Sequence, residues 1–419
     1  MTKIRETSAQ TLLRVANQTG TPCYVYNETT ILRQSRLVLE AFKHHPVKWL
    51  YAIKANDNPH ILKLIQRAGI GFDTVSFEEV LLCQHFTDDP RQIFYTENSM
   101  SDAEMDAAIR LGVTLNIGSL KRLERFCDHP EAHECCVRIN PAIGDGHHAR
   151  VNTGDSESKF GIRIGQIEEA VAVAQKSGKR IIGLHAHIGS GIKEPENLIA
   201  AMKVLLELSR EFPDLQFINF GGGMPTPYRS SEKPFDMARF AELAIKLFDT
   251  DLKNRPDGFH YLFEPGRWFV AEAGFLLTKV QTIKDQLETR YLGTDTGMHH
   301  LMRPIIYDAW HDVVNLSKFG EAADQLYTIS GNICESGDIL AFDRLLPEAE
   351  MDDILAFCDA GAYGMTMASQ YNRRALPAEV LLKSDGSYQV IRPAQTAEET
   401  VAEFLAKCGF ETETHHQKK

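Results

Sequence analysis

The sequence predicts an α/β chain built as a (β/α)8 barrel followed by a second, mostly β C-terminal domain. Three observations lead there. At 419 residues the chain exceeds what one hydrophobic core ordinarily serves. Short runs of β-branched and aromatic residues alternate with amphipathic helical patterns eight times over roughly 240 residues, the size of a (β/α)8 barrel. Beyond Ala271 that rhythm gives way to strand-like runs punctuated by turn residues.

The barrel is expected over residues 29–270. A helical pattern at Thr29–Lys43, with Ile31, Leu32, Leu37, Leu39 and Phe42 on it, precedes a first apolar strand in Trp49–Asn56. That strand delivers Lys54 at its end, just before Asn56, Asn58 and Pro59 open the next helix. Seven further strand candidates follow: Gly71–Val75, Gln92–Thr96, Val113–Ile117, Glu134–Ile139, Ile181–Ile188, Gln216–Phe220 and His260–Phe263. Amphipathic patterns such as Glu196–Phe212 and Phe235–Leu252 lie between them. Strands alternating with helices call for a parallel sheet; an open doubly wound sheet is the alternative, but no GxGxxG follows the first strand. The second domain is expected from Gly274–Ile283, Gln325–Ile329, Asp338–Leu340, Glu379–Leu382 and Tyr388–Ile391, with Cys23–Tyr26 available to complete it. The polar tail Cys408–Lys419 is expected to fray.

Composition narrows the function. A chain 43% hydrophobic and 24% charged is of the soluble globular class. Forty-five Lys and Arg against 57 Asp and Glu give a net charge of −12, which argues against nucleic acid or an anionic membrane as partner. Met1–Gly20 has no apolar core of signal-peptide length, and no later stretch is apolar enough to span a bilayer, so a cytoplasmic location is expected. The eight cysteines show no CxxC spacing, which suggests neither a zinc ribbon nor a disulfide framework.

In a barrel of this kind, chemistry sits at the C-terminal ends of the strands. Lys54 follows the first strand, Asp73 lies in the second, Arg138 near the end of the fifth and His187 at the end of the sixth. Gly221, Gly222 and Gly223 follow the seventh, and Glu264-Pro265-Gly266-Arg267 follows the eighth. A desolvated lysine amine can form a Schiff base with an aldehyde. Glycines and an arginine after strands seven and eight stand where barrels commonly hold a phosphate. Together they suggest pyridoxal 5′-phosphate, PLP. A histidine ring stacked on the cofactor suits His187, and a carboxylate at Glu264 suits the pyridine nitrogen. Each has a plainer reading: Gly221–Gly223 as a tight turn, Arg138 and Glu264 as structural ion pairs. His185 and His187 form an HxH pair of the sort some metal-dependent barrel hydrolases use, but no matching carboxylate and histidine set accompanies it. The pairs His147-His148 and His299-His300 read as surface residues.

Nine stretches, in order along the chain, resemble the fold-type III PLP-dependent decarboxylases, and within them the diaminopimelate decarboxylases. They are Tyr51–Asn56, Gly71–Ser76, Ser158–Gly161, His185–Ser190, Gly221–Gly223, Glu264–Arg267, Arg303-Pro304 with Tyr307, Cys334–Asp338 and Gly361–Gly364. The resemblance implies an alanine-racemase-like barrel and a β-rich domain drawn from residues 1–28 and 271–419 that completes the active site. It also implies a homodimer with shared sites, and decarboxylation of meso-2,6-diaminopimelate to L-lysine and CO2. In its terms Lys54 holds PLP covalently, Asp73 and Arg138 stand among the cofactor contacts, and His187 stacks on the ring. Ser190, Gly223 and Arg267 serve the phosphate, with Arg267 also near the substrate; Gly266 is a further cofactor contact, and Glu264 pairs with the pyridinium. Tyr363 lies near phosphate and substrate. Cys334, as proton donor, and Glu335, on the substrate ammonium, come from the other subunit, while Arg303 and Tyr307 receive the substrate's far end. Departures from the family pattern at Gly331-Asn332-Ile333, at Asp295-Thr296-Gly297 and in the Gly144–Gly154 loop leave ornithine, lysine or a siderophore or carrier-bound intermediate as alternative substrates. An inactive PLP-binding regulator and a metal hydrolase are the alternatives outside the class.

Overall fold

The computed structural model describes residues 4, 8–141 and 158–410. The Gly144–Gly154 loop, the His147-His148 pair and the tail beyond Phe410 lie outside the described residues. The chain divides into two compact units, one of residues 31–227 and 231–269, the other of residues 1–30, 228–230 and 270–419.

The first unit is a closed parallel barrel. Its strands are Val47–Ala52, Gly71–Thr74, Ile93–Thr96, Thr114–Ile117, Glu134–Asn140, Arg180–His185, Phe217–Asn219 and His260–Phe263. Each pairs in parallel with the next, and the eighth closes on the first with Phe263 opposite Trp49. A two-residue strand, Ile162–Arg163, adds to the edge of the fifth. Strands two and three are buried along their whole length, as parallel strands covered on both faces must be. Leu50, Phe94, Cys136, Ile182, Phe217 and Leu262 meet inside, where the barrel is filled by side chains rather than left as a pore.

Helix starts are set locally. Asn58 accepts the His60 amide at 3.0 Å and Pro59 opens the helix Pro59–Arg67, so the chain turns sharply just after Lys54. Ser76 caps Phe77–Cys83, and Ser101 with Glu104 forms a capping box for Asp102–Leu111. Among the described residues no helix is long and apolar enough to cross a membrane.

The second unit is a nine-stranded, mostly antiparallel sheet. Cys23–Asn27 runs antiparallel to Gly274–Gln286 and parallel to Ala378–Leu382, which ties the chain's beginning to its C-terminal half. Leu12, Val15, Val25, Phe275, Leu277, Ala356 and Val380 form its core with the helix Ala9–Thr19. Two readings need correction. His187 is not on the sixth strand, which stops at His185. His299 and His300 are buried, at 0% and 2% exposure, because the turn after Gly297 folds them inward and Thr296 and Ala375 hydrogen-bond the His300 ring.

Candidate active site

The C-terminal rim of the barrel carries Lys54, Asp73, Arg138, Glu264 and Arg267. Lys54 lies in a single 3-10 turn, Ile53–Ala55, directly after the first strand. Its Nζ is 3.5 Å from Asp73 Oδ2; the lysine side chain is 40% exposed and the aspartate 1%. Gly266 packs against this turn so closely that a Cβ there would lie 2.8 Å from Ala52 O and 3.0 Å from Ala55 Cβ. Burial, and next the Glu264 charge, push the Asp73 carboxyl above the usual range, while Lys54 and Arg138 oppose the shift. Behind Asp73 a short polar chain crosses two strands: Thr96 Oγ1 is 3.5 Å from Asp73 Oδ1, and Asn116 donates to Thr96 at 3.1 Å.

Glu264 follows the eighth strand and is 6% exposed. Asn219 Nδ2 donates to its Oε2 at 3.0 Å, and His185 Nε2 meets its Oε1 at 3.0 Å. Burial raises its pKa, opposed by Lys54, Arg138 and the Asn219 hydrogen bond. Arg138 is itself buried, with its guanidinium 4.5 Å from the centre of the Phe160 ring. Its burial is offset by the carboxylates of Glu264, Asp73 and Glu97.

The glycine run is sterically dictated. Gly221 and Gly223 adopt φ +70° and +113°, and a Cβ at Gly221 would come within 2.7 Å of both Ala186 O and His187 Nδ1. The Gly221 amide donates to Asn219 Oδ1 at 2.9 Å and the Gly222 amide to His187 Nδ1 at 3.1 Å. Both of those amides bond within the protein. The Gly222 bond also fixes the His187 tautomer: Nδ1 accepts, so the ring proton is on Nε2. Burial, with Arg138 and Lys54 nearby, keeps that ring neutral. Arg267 Nη2 donates to Ser190 Oγ at 3.1 Å, bringing those two side chains together.

On the second unit, Cys334 and Glu335 are exposed on the loop joining the strands Gln325–Ser330 and Ile339–Leu346. Asp338, 2% exposed, organises that loop by accepting the Ile333 amide at 2.8 Å and the Met298 amide at 2.6 Å. The Cys334 amide donates to Asn372 Oδ1 at 3.0 Å, and Tyr371 donates to Glu335. Arg303 is 1% exposed, at the start of the short helix Arg303–Tyr307. Tyr363 sits at φ +56°, a conformation a tyrosine rarely adopts, between Gly361 and Gly364. A Cβ at Gly361 would be 1.9 Å from Val270 O, and one at Gly364 would be 2.6 Å from the Tyr24 hydroxyl.

The family description "Pyridoxal-dependent decarboxylase, pyridoxal binding domain" matches residues 28–271, more than half of the chain. The chain belongs to the pyridoxal-dependent decarboxylases. Diaminopimelate decarboxylase of Methanothermobacter thermautotrophicus is 36% identical over 92% of this chain and 91% of its own length. That of Pseudomonas fluorescens is 36% identical over 94% of both chains. The structure of diaminopimelate decarboxylase from Helicobacter pylori complexed with L-lysine superimposes with a TM-score of 0.87 at 29% identity, covering 95% of this chain and all of that one.

Pyridoxal 5′-phosphate is the cofactor of this family, and the rim fits it. A buried carboxylate such as Glu264, whose pKa burial raises, suits a ring N–H+ as partner. Arg267, Ser190 and the cramped glycine run offer an anion site. The decarboxylase rim also holds residues the sequence reading gave no role. Asn219 and His185 orient Glu264, and Thr96 and Asn116 stand behind Asp73. Asn219 had a signal in hand, since it stands two residues before Gly221 in Asn-Phe-Gly-Gly-Gly.

Proposed function

We propose that this pyridoxal-dependent decarboxylase converts meso-2,6-diaminopimelate to L-lysine and CO2. The observation that carries the reading is Glu264, a carboxylate buried at 6% exposure and held by Asn219 and His185 on the same barrel rim as Lys54 and the Arg267–Ser190 pair. Similarity over more than nine-tenths of both chains to diaminopimelate decarboxylases supports the substrate.

When bound, PLP supplies the electron sink for the pair left behind as the Cα–carboxylate bond breaks. The chain's own residues do the rest. Lys54 is the residue that would hold the cofactor covalently, and Asp73 orients its Nζ. Glu264 is the carboxylate that would keep a proton on the ring nitrogen. Arg267, Ser190 and Gly223 would hold the phosphate, while Arg138 balances the buried carboxylates. His187, locked by the Gly222 amide, presents a neutral ring face. Cys334 Sγ returns the proton that Cα needs after CO2 leaves, and Glu335 receives the substrate ammonium. Arg303 and Tyr307 receive the distal carboxylate, with Tyr363 near the phosphate. We assign Cys334 and Glu335 to the site of a second copy, in a cytoplasmic homodimer with shared sites.

Borohydride reduction of the purified, yellow protein, followed by peptide mass mapping, is expected to fix PLP on the peptide containing Lys54 and on no other. Label on a different lysine would overturn the assignment of the cofactor lysine.

A further inference from the structure

We propose that His311 and Tyr228 are specificity-determining positioning residues: together they hold the Arg303 guanidinium in the orientation that receives the substrate's distal carboxylate. The inference rests on the reading of Arg303 given above. Recognition of a carboxylate by arginine depends on geometry, because two parallel N–H groups must be aimed at two oxygens. An arginine has a long flexible stem, so a selective site needs something that fixes the fork before substrate arrives.

Arg303 Nη1 lies 2.9 Å from His311 Nε2, and His311 Nδ1 lies 2.8 Å from Cys358 O. A carbonyl can only accept and a guanidinium can only donate, so the directions follow without ambiguity. His311 carries its proton on Nδ1 and turns the Nε2 lone pair toward Arg303. The imidazole is fully buried, at 0% exposure, so it cannot swing away to water. The second contact is the Tyr228 ring, whose centre is 4.3 Å from the guanidinium carbon. That is within cation–π range. The Tyr228 ring also meets His311 edge to face, with centroids 5.4 Å apart, so the two positioning groups brace each other.

Tyr228 is in turn pinned by the residues that follow it. Ser230 donates to Asp312 Oδ2 from its amide at 3.1 Å and from its hydroxyl at 2.5 Å. Arg229 lies over one part of the Trp310 ring system at 3.8 Å, and Arg344 approaches the same ring at 3.3 Å. Trp310 donates to Asp312 Oδ1 at 2.6 Å. Residues 310 and 312 thus clamp the segment carrying Tyr228, and His311 stands between them. Neither a neutral imidazole nor a phenol ring cancels the positive charge. They orient it without adding a counter-charge of their own.

The test uses the full-length holoenzyme with four variants: His311→Leu, His311→Gln, Tyr228→Leu and Tyr228→Phe. Two probes separate distal recognition from general damage. L-Lysine, the product, retains the carboxylate that is not removed, whereas 1,5-diaminopentane has none. The two leucine variants should raise KM for diaminopimelate and the inhibition constant of L-lysine together, by about ten- to hundredfold for loss of a contact to a charged group. Their kcat, PLP absorbance and inhibition by 1,5-diaminopentane should stay within about twofold, small beside that effect. His311→Gln, which keeps an acceptor, and Tyr228→Phe, which keeps the ring, should recover most of the loss. Equal weakening of both inhibitors, or an unchanged KM, would overturn the proposal. If His311→Leu does not fold, the Tyr228 pair decides alone, and an unchanged L-lysine constant in Tyr228→Leu overturns it. A wild type that releases no CO2 from diaminopimelate would instead remove the reading of the reaction beneath it.

Discussion

Glu264→Gln is expected to bind PLP normally and to lower kcat by about 10²–10³-fold, the range seen when one preorganised electrostatic group is removed from a reacting centre. The substitution keeps the shape but turns one acceptor oxygen into an NH2 donor, so Asn219 can still donate to the remaining oxygen while His185 must turn an acceptor nitrogen to it, and it removes the charge. A neutral amide no longer favours a proton on the ring nitrogen opposite, and the electron sink becomes shallower. The cost of burying Glu264 disappears at the same time, since burial is what raises its pKa. But Arg138 loses one of the carboxylates that offset its own burial, so stability is expected to hold or fall modestly, while turnover falls far more at normal PLP content. Steady-state kinetics with PLP content read from visible absorbance checks this, and a kcat within about twofold of wild type would remove the role assigned to Glu264.

Lys54→Ala and Cys334→Ala are each expected to be nearly inactive alone and to regain activity when mixed under subunit exchange. Loss of a positioned proton donor costs about 10²–10⁴-fold, and loss of the lysine should cost at least as much. If Cys334 serves the partner's site, each mixed dimer has one site with both residues intact and one with neither. The exposed thiol fits a residue that works outside its own loop, which Asp338 and Asn372 hold in shape through backbone amides. Activity of mixed variants, with exchange shown by a tagged copy, is the measurement. No recovery despite exchange would place Cys334 in its own subunit's site or outside catalysis.

The barrel was legible because parallel strands buried on both faces read as unbroken apolar runs, such as Ile93–Thr96. Ends were less so. Gln92 falls in a 3-10 turn that Asp89 caps and Pro90 opens, and His187 lies past the sixth strand, because apolar character continues beyond the last ladder hydrogen bond there. Lys54, Glu264 and Arg267 stood out because each follows a strand within a distinctive local pattern. Their supporting residues did not. Thr96 and Asn116 become neighbours only through the register of strands three and four, and Asn219 reaches Glu264 across two adjacent strands. Tyr228 and His311 lie 83 positions apart in numbering, and nothing local to either announces the other. The buried His299-His300 pair was misjudged because histidine suits either side of a surface, and only tertiary contacts decide.

CO2 release from the purified protein with meso-diaminopimelate, lysine and ornithine, measured alongside Arg303→Ala, decides the substrate. Diaminopimelate carries a distal carboxylate, whereas lysine and ornithine oriented for decarboxylation do not. Removing one partner of a buried charge pair typically costs about 2–5 kcal/mol, or roughly thirty-fold to several thousand-fold in kcat/KM. The wild type should prefer diaminopimelate, and Arg303→Ala should lose that preference while harming residual turnover of lysine or ornithine proportionally less. A wild type that prefers lysine or ornithine would contradict the account, as would an Arg303→Ala protein that loses stability and every activity together.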